Sequence, residues 1–476
     1  MRVVVVGAGI AGLAAAHALR GRAEVTVVES GDRVGGKLRT TSFEGMPIEE
    51  GAESFLTRVP DAVRLARHVG MGHDIVHPAT TAASLLISGR LRPLPPRTLL
   101  GVPTDAIGLI RSRVLSPVGL LRAAADLVLP RTILPDDPTV GGYVGARVGR
   151  EIVERLVDPL LGGVYAGRAD AMSLRATVPQ LIPIMSEDRS LLLGAYRVRA
   201  RTAPADPAGT PVFASIRGGL GRFAAAVADT SGATIVLGAT VRAVGRTPSG
   251  WRLTVMDTGA PDTPAAPGAG GSGEREIDAD AVILAVPVAV ARALLARVAP
   301  HAAAPLAAVP YVSVGLTTLL YRGARLPPGS GYLVPPRAGG VVKAATFVSA
   351  KWPHLSAGTD LTVVRASVGR AGDVRDLERG DVELAGVVAA ELAAATGLTV
   401  RPGASRVTRW PDALPQYLPG HLDRIAAARR ALPTGLALAG AGYDGVGIPA
   451  CVRSGEAAAE TVLRADDAVR TGRIGP

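Results

Sequence analysis

An α/β fold organised round a parallel sheet is what the sequence predicts, and three observations predict it. The chain opens on a β-branched run, Arg2-Val-Val-Val-Val6, that leads directly into glycines and an Ala/Leu-rich stretch. The same alternation of strand-like and helix-like segments returns over residues 213–287. It returns once more near the end, where Gly435-Leu-Ala-Leu-Ala-Gly440 reads as a strand, 442–447 as a turn and 449–464 as a helix. Continuous apolar runs suit strands covered on both faces, so three separated stretches of this kind imply one layer assembled from discontinuous segments.

Each element can be justified in order. Residues 2–6 form a strand, 13–20 a helix closed by Gly21, and 24–29 a second strand, which together make a βαβ unit. The turn between them is Gly7-x-Gly9-x-x-Gly12. Gly7 permits the tight turn, Gly9 lets backbone approach a pyrophosphate, and Gly12 lets helix lie close on strand, while the helix N-terminus attracts phosphate. Glu29, 22 residues after Gly7, is placed to accept hydrogen bonds from a ribose. The unit is therefore a Rossmann-like dinucleotide-binding motif. Residues 85–138 alternate amphipathic helical patches with prolines and carry Arg90, Arg92, Arg97, Arg111, Arg113, Arg122 and Arg131 against few acids, which predicts a separate, mainly helical module.

Farther on, a helix is expected over 220–228 and strands over 234–236, 239–244, 251–256 and 280–285. Residues 259–273, rich in Gly, Pro and Ala, read as a flexible hairpin tip. Residues 302–321 carry no charge over 20 positions, long enough in principle to span a bilayer. Pro305 and Pro310 interrupt any helix there, and 311–321 interleaves Ser and Thr among β-formers, so a buried strand is expected instead. An Ala-rich helix comes next near 381–396. The opening Met1 to Val6 run is too short for a signal peptide.

Composition narrows the function classes. The chain has 476 residues with a formal charge of +11 and 48% hydrophobic residues, a pI near 10.4 and a mean hydropathy of +0.29. Disorder is excluded by the hydrophobicity, and a disulfide scaffold by the lone Cys451, which is expected to be a small buried residue on a helix. Only Lys37, Lys343 and Lys351 are lysines, and the other 49 of the 52 cations are Arg, the mark of a GC-rich genome. No spacing of His, Cys, Asp or Glu points to a metal, and nothing points to nucleic acid.

The loop after the ribose-facing acid distinguishes among dinucleotides. Asp32-Arg-Val-Gly35-Gly36-Lys37 resembles the second diphosphate loop of the flavin amine oxidase superfamily, which NAD dehydrogenases lack. Asp158-Pro-Leu-Leu-Gly-Gly-Val-Tyr-Ala-Gly167, then Ser173-Leu-Arg-Ala-Thr177 and Gly445-Val-Gly-Ile-Pro449, resemble the protoporphyrinogen/coproporphyrinogen oxidase family within it, and most of all its bacterial coproporphyrin-forming branch. The likeness runs in order along essentially the whole chain. It departs at Ala450, where the family usually has an acid, and at Arg168, where it often has Asp.

The resemblance implies the site. Gly7, Ala8, Gly9, Ile10, Ala11, Gly12, Glu29, Ser30 and Lys37 would hold the ADP half of FAD. Gly51, Ala52, Glu53 and Ser54 would lie against the ribityl and flavin region, and Val241 would meet adenine through its backbone. Trp410, Val446, Gly447 and Ile448 would border the flavin, at the positive end of the helix that begins near Pro449. Gly167 and Arg175 are candidates for substrate contact, with an ion pair the competing role for Arg175. No catalytic side chain is implied.

It implies a domain plan as well. A discontinuous FAD-binding domain would comprise 1–75, 210–290 and 405–476, with an α+β substrate-binding domain over 290–405. The mainly helical domain over 85–205 would be either membrane-facing, through surface contact with anionic lipid, or a lid. The activity implied is oxidation of coproporphyrinogen III to coproporphyrin III by molecular oxygen, with hydrogen peroxide as by-product, in a cytoplasmic haem pathway with possible handover to a ferrochelatase. Three alternatives remain open: a protoporphyrinogen IX oxidase, another flavin oxidase such as an amine oxidase or carotenoid desaturase, and a non-catalytic porphyrin carrier.

Overall fold

The four valines after Arg2 are 0–4% exposed, as expected of a strand flanked by neighbours and covered on both faces. In the computed structural model, which describes residues 1–202, 211–257 and 273–470, strand Arg2–Val6 is the centre of a five-stranded parallel sheet. The order across it is Thr234–Val236, Glu24–Val28, Arg2–Val6, Ala281–Leu284 and Leu436–Leu438. Three distant stretches of chain thus meet in one sheet, because each supplies a short strand that is apolar on both faces.

Helices Ile10–Leu19, Leu220–Ser231 and Ile448–Arg470 contribute to one core with that sheet, through Leu13, Leu19, Phe223, Val227, Val452 and Val462 among others. An antiparallel meander, Ala239–Thr247, Gly250–Asp257 and Glu274–Ala279, is inserted between sheet strands. The hairpin tip expected over 259–273 lies outside the described residues except for Gly273, whose carbonyl accepts from the Asp257 N–H at 2.8 Å.

The chain divides into two units, Met1–His77 with Pro211–Val309 and Leu422–Pro476, and Pro78–Thr210 with Pro310–His421. The second is built on a seven-stranded mixed sheet in the order Ala404–Pro415, Tyr311–Arg322, Leu361–Val368, Val342–Phe347, Gly331–Leu333, Ala83–Ile87 and Arg90–Pro93. Helix Asp381–Thr396 buries Leu384, Val388 and Leu392 in a core with Leu319, Phe347 and Val364. The uncharged segment is a helix, Pro300–Leu306, followed by strand Tyr311–Arg322. Among the described residues no helix is long and apolar enough to cross a membrane.

The segment expected to be helical from residue 85 begins instead as a β-hairpin, Ala83–Ile87 and Arg90–Pro93. Its turn places Ser88 and Gly89 at positive φ, and helices start only from Ala106. Further along, Val153–Val157 is π-helical immediately before Asp158-Pro159. A proline ring clashes with the carbonyl four residues earlier and brings no N–H, and a widened turn relieves both problems. The turn expected over 442–447 likewise contains a short helix, Ala441–Asp444.

Candidate functional site

The three glycines of the opening turn are glycine for different reasons. A Cβ on Gly7, whose φ is +102°, would meet the Ala285 carbonyl oxygen at 2.6 Å, and one on Gly12 would lie 2.0 Å from the Gly7 oxygen. Both positions are therefore fixed by the fold itself. A Cβ on Gly9 would have nothing within 4 Å, so the space beyond it is open and at the N-terminus of helix Ile10–Leu19. That combination fits a pyrophosphate close to the backbone.

Glu29 ends up where the spacing places it. One carboxylate oxygen accepts from the Ala8 N–H at 2.7 Å and the other from the Gly31 N–H at 2.8 Å, leaving lone pairs on both for a diol. Ser30 is exposed beside it. The Ala239 N–H donates to the Glu29 carbonyl at 2.9 Å, which brings the strand carrying Val241 alongside; Val241 is 7% exposed at a register shift.

The second glycine loop clasps the first. The Gly35 N–H donates to the Ala8 carbonyl at 2.8 Å, and Gly9 and Gly35 form a parallel bridge. Its two cations divide the work in a way the sequence leaves hidden. Arg33 turns inward, and its guanidinium donates to the carbonyls of Val34, Gly36 and Leu38 at 2.7–3.3 Å. Lys37 keeps an accessible surface although protein surrounds it. That desolvation draws its pKa down.

Continuing from this loop, the Ala52 N–H donates to the Lys37 carbonyl at 3.1 Å, and the Ser215 hydroxyl to the Glu53 carbonyl at 2.9 Å. Gly51, Ala52, Glu53 and Ser54 are thereby anchored next to Lys37. On the other side, helix Ile448–Arg470 packs against helix Ile10–Leu19 so closely that a Cβ on Gly455 would lie 2.0 Å from the Ala11 carbonyl oxygen. This contact fixes the C-terminal helix, two turns in from its start, against the first turns of the first helix. Val446 and Gly447 lead into it, and Ile448 is 5% exposed. The approach is held by Asp444, which takes Arg429 bidentately at 2.6 and 2.8 Å. Burial pushes the Asp444 carboxyl up, but Arg429, the Ser454 hydroxyl and the Arg453 charge together outweigh it and hold the group below its ordinary value. Cys451 sits half-buried in the first turn of the helix, and burial pushes its thiol up to about 11, so it carries no thiolate.

Trp410, Gly167 and Arg175 belong to the second unit. Trp410 pairs with Val314 in the seven-stranded sheet and is half-buried. Gly167 is required by packing, since a Cβ there would meet Gln416 Oε1 at 2.5 Å and Met172 Sδ at 2.6 Å; Gln416 in turn donates to the Tyr165 carbonyl at 2.7 Å. Arg175 is half-buried in the one-turn helix Leu174–Thr177. Arg168, which replaces the usual acid, approaches the buried Asp158 at 3.4 Å, while the Ala169 N–H donates to the other Asp158 oxygen at 2.6 Å. Burial nevertheless raises the Asp158 pKa.

Comparison with known proteins identifies the family. The family model described as flavin containing amine oxidoreductase matches residues 10–463. The chain is 36% identical over 466 residues to the coproporphyrinogen III oxidase of Mycobacterium leprae, covering 96% of this chain and 97% of the relative. It is 32% identical to that of Bacillus subtilis, with 97% of each covered, and 31% identical to human protoporphyrinogen oxidase, with 97% and 98% covered. A crystal structure from Exiguobacterium sp. 255-15 superposes with a TM-score of 0.84 at 32% identity, over 97% of this chain and 98% of the other. The cofactor is FAD, and the open face at Gly9, the lone pairs left on Glu29 and the clasped second loop fit such a group. By these matches the chain belongs to the flavin-containing amine oxidoreductase family.

Proposed function

We propose that the protein oxidises coproporphyrinogen III to coproporphyrin III, with molecular oxygen as final acceptor and hydrogen peroxide as by-product. The observation that carries this reading is the near full-length identity of 32–36% to bacterial proteins named coproporphyrinogen III oxidase. The resemblance of residues 158–177 and 445–449 to the same family supports it. The conversion removes six electrons and six hydrogens, which corresponds to three two-electron rounds and three molecules each of oxygen consumed and peroxide released. The flavin, when bound, supplies a two-electron acceptor at its N5.

The protein's own residues bind and position. Gly9 and the helix behind it receive the pyrophosphate, Glu29 and Ser30 the adenosine ribose, and Lys37 adds a cation to the diphosphate. Gly51, Ala52, Glu53, Ser54, Val241, Val446, Gly447 and Ile448 complete the contacts in the first unit. Gly167 and Arg175 are candidates for contact with the porphyrinogen. Orientation and exclusion of water are the principal contributions to rate, and no side chain is assigned a proton-transfer step.

The chain's charge favours the tetra-acid, which carries four propionates where protoporphyrinogen IX carries two. Human protoporphyrinogen oxidase, at 31% identity, makes protoporphyrinogen IX the second reading. Turnover of both porphyrinogens by purified holoenzyme tests the choice, and a preference for protoporphyrinogen IX contradicts it.

Handover of the product to a ferrochelatase and a cytoplasmic setting belong to the same proposal, as does peripheral contact with lipid. The last is supported by Ile107, Ile110, Val118, Leu121, Val128 and Ile133, which are 57–98% exposed on helices and turns that also expose Arg111, Arg113 and Arg131. Such a surface suits an anionic bilayer. Co-sedimentation with anionic liposomes at low salt checks it, and full recovery in the supernatant contradicts it.

A further inference from the structure

Two inward-turned arginines are used differently. Arg147, 1% exposed, donates to Asp126 Oδ1 at 2.6 Å and to the Asp126 carbonyl at 2.9 Å, while Asp126 Oδ2 takes the Ser190 hydroxyl and the Leu192 N–H. That arginine meets a carboxylate and serves the fold. Arg33, half-buried, meets main chain instead. Its guanidinium donates to the carbonyls of Val34 at 3.0 Å, Gly36 at 2.7 Å and Leu38 at 3.3 Å, all in its own loop, although Glu29, Asp32 and Glu50 are close enough to act on its charge.

Those three bonds complete the loop's acceptors. The Gly35 carbonyl takes the Leu38 N–H at 3.0 Å and the Lys37 carbonyl takes the Ala52 N–H at 3.1 Å, so every carbonyl from Val34 to Leu38 has a donor within the protein. The N–H groups divide differently. Gly35 donates to the Ala8 carbonyl at 2.8 Å, whereas among the described residues the N–H groups of Gly36 and Lys37 donate to no protein acceptor. They lie beside the open face of the first turn. A Cβ on Gly36 would come within 3.3 Å of the Gly9 Cα, while one on Gly9 itself would have nothing within 4 Å. Gly35 and Gly36 both have positive φ, +102° and +56°, and successive N–H groups in a turn of this kind form a concave anion site.

We propose that Arg33 is a positioning residue for the cofactor's diphosphate: by gathering the carbonyls of Val34, Gly36 and Leu38, it leaves the Gly36 and Lys37 N–H groups to a phosphate. The inference rests on the FAD assignment and is independent of which porphyrinogen is oxidised. A planar fork of five donors serves three carbonyls at once and keeps its proton. A carbonyl released from it is free to rotate toward the phosphate, where its negative end opposes binding. Lys37 thus acts through its charge, and Arg33 through the shape of the loop.

The test strips flavin from the full-length protein and titrates FAD back into wild type, Arg33→Met, Arg33→Gln and Arg33→Lys, reading Kd from flavin fluorescence. Apo melting temperatures and the ³¹P resonances of bound FAD are measured on the same samples. Loss of hydrogen bonds to a charged phosphate corresponds to a weakening of about tenfold to a hundredfold. Arg33→Met is expected to raise Kd by that factor and to shift the ³¹P resonances of the FAD it still binds, with an apo melting temperature close to that of wild type. Arg33→Lys is expected to recover part of the affinity. Arg33→Gln, which keeps a neutral donor, is expected to fall between the two, so insolubility of Arg33→Met leaves the comparison intact. An unchanged Kd in the Met and Gln variants overturns the proposal. So does a raised Kd that comes with a matching fall in apo melting temperature and wild-type ³¹P resonances, which makes Arg33 a structural residue only. A wild type that does not rebind FAD overturns the FAD assignment on which the role depends.

Discussion

Gly7, Gly9 and Gly12 look alike in the sequence and separate only when the space round each Cβ is known. Gly9→Val is expected to give a folded protein with an apo melting temperature within a few degrees of wild type but without bound flavin, measured by thermal denaturation and by absorbance near 450 nm. Gly12→Val places atoms on the Gly7 carbonyl and is expected to prevent soluble folding; retention of full flavin content by either variant contradicts the assignment. Lys343 gives the opposite kind of effect. Burial draws its pKa down to about 8 from 10.5, so the unfolded chain holds more protons between those values and stability rises with pH across that window. Below pH 8 the folded ammonium carries the whole penalty, on the order of 3 kcal/mol for such a shift. Apo Lys343→Met should therefore melt higher than apo wild type at pH 7, with the gap closing above pH 8. A lower melting temperature at pH 7 contradicts a desolvated buried charge.

Helix Ile448–Arg470 is joined to helix Ile10–Leu19 by the absence of a side chain at Gly455. Gly455→Val is expected to separate the helix starts and to lose both stability and flavin. The buried Arg147–Asp126 network makes a second demand: Arg147→Met strands Asp126 and is expected to destabilise by roughly 3–5 kcal/mol, read by chemical denaturation. Replacing both partners with apolar residues should return much of that. These elements also show what sequence reveals. Strand Arg2–Val6, helix Leu220–Ser231 and helix Asp381–Thr396 are legible from local pattern and breakers, since their burial agrees with their own periodicity. The hairpin Ala83–Ile87 and Arg90–Pro93 hides among arginines and prolines, because its strands complete a sheet with Gly331–Leu333, some 240 residues away in sequence. The inward turn of Arg33 and the burial of Lys343 are equally invisible, because both depend on what lies across a fold from them.

At the scale of the whole molecule, the net charge of +11 is only partly functional. Many arginines form surface ion pairs, such as Arg252 with Asp278 and Arg322 with Asp360, and such pairs contribute little to stability. The charge that matters for activity is what remains for an anionic dinucleotide and a polycarboxylate substrate. The central proposal is that this FAD-binding chain oxidises a tetra-acid porphyrinogen in preference to a di-acid one. The most direct test measures, with purified holoenzyme in air, the rate of porphyrin fluorescence growth and of peroxide formation on coproporphyrinogen III and on protoporphyrinogen IX. Three peroxides per coproporphyrin III, at a kcat/KM above that for protoporphyrinogen IX, is the expected result. A higher kcat/KM for protoporphyrinogen IX, or porphyrin formation without peroxide, contradicts it.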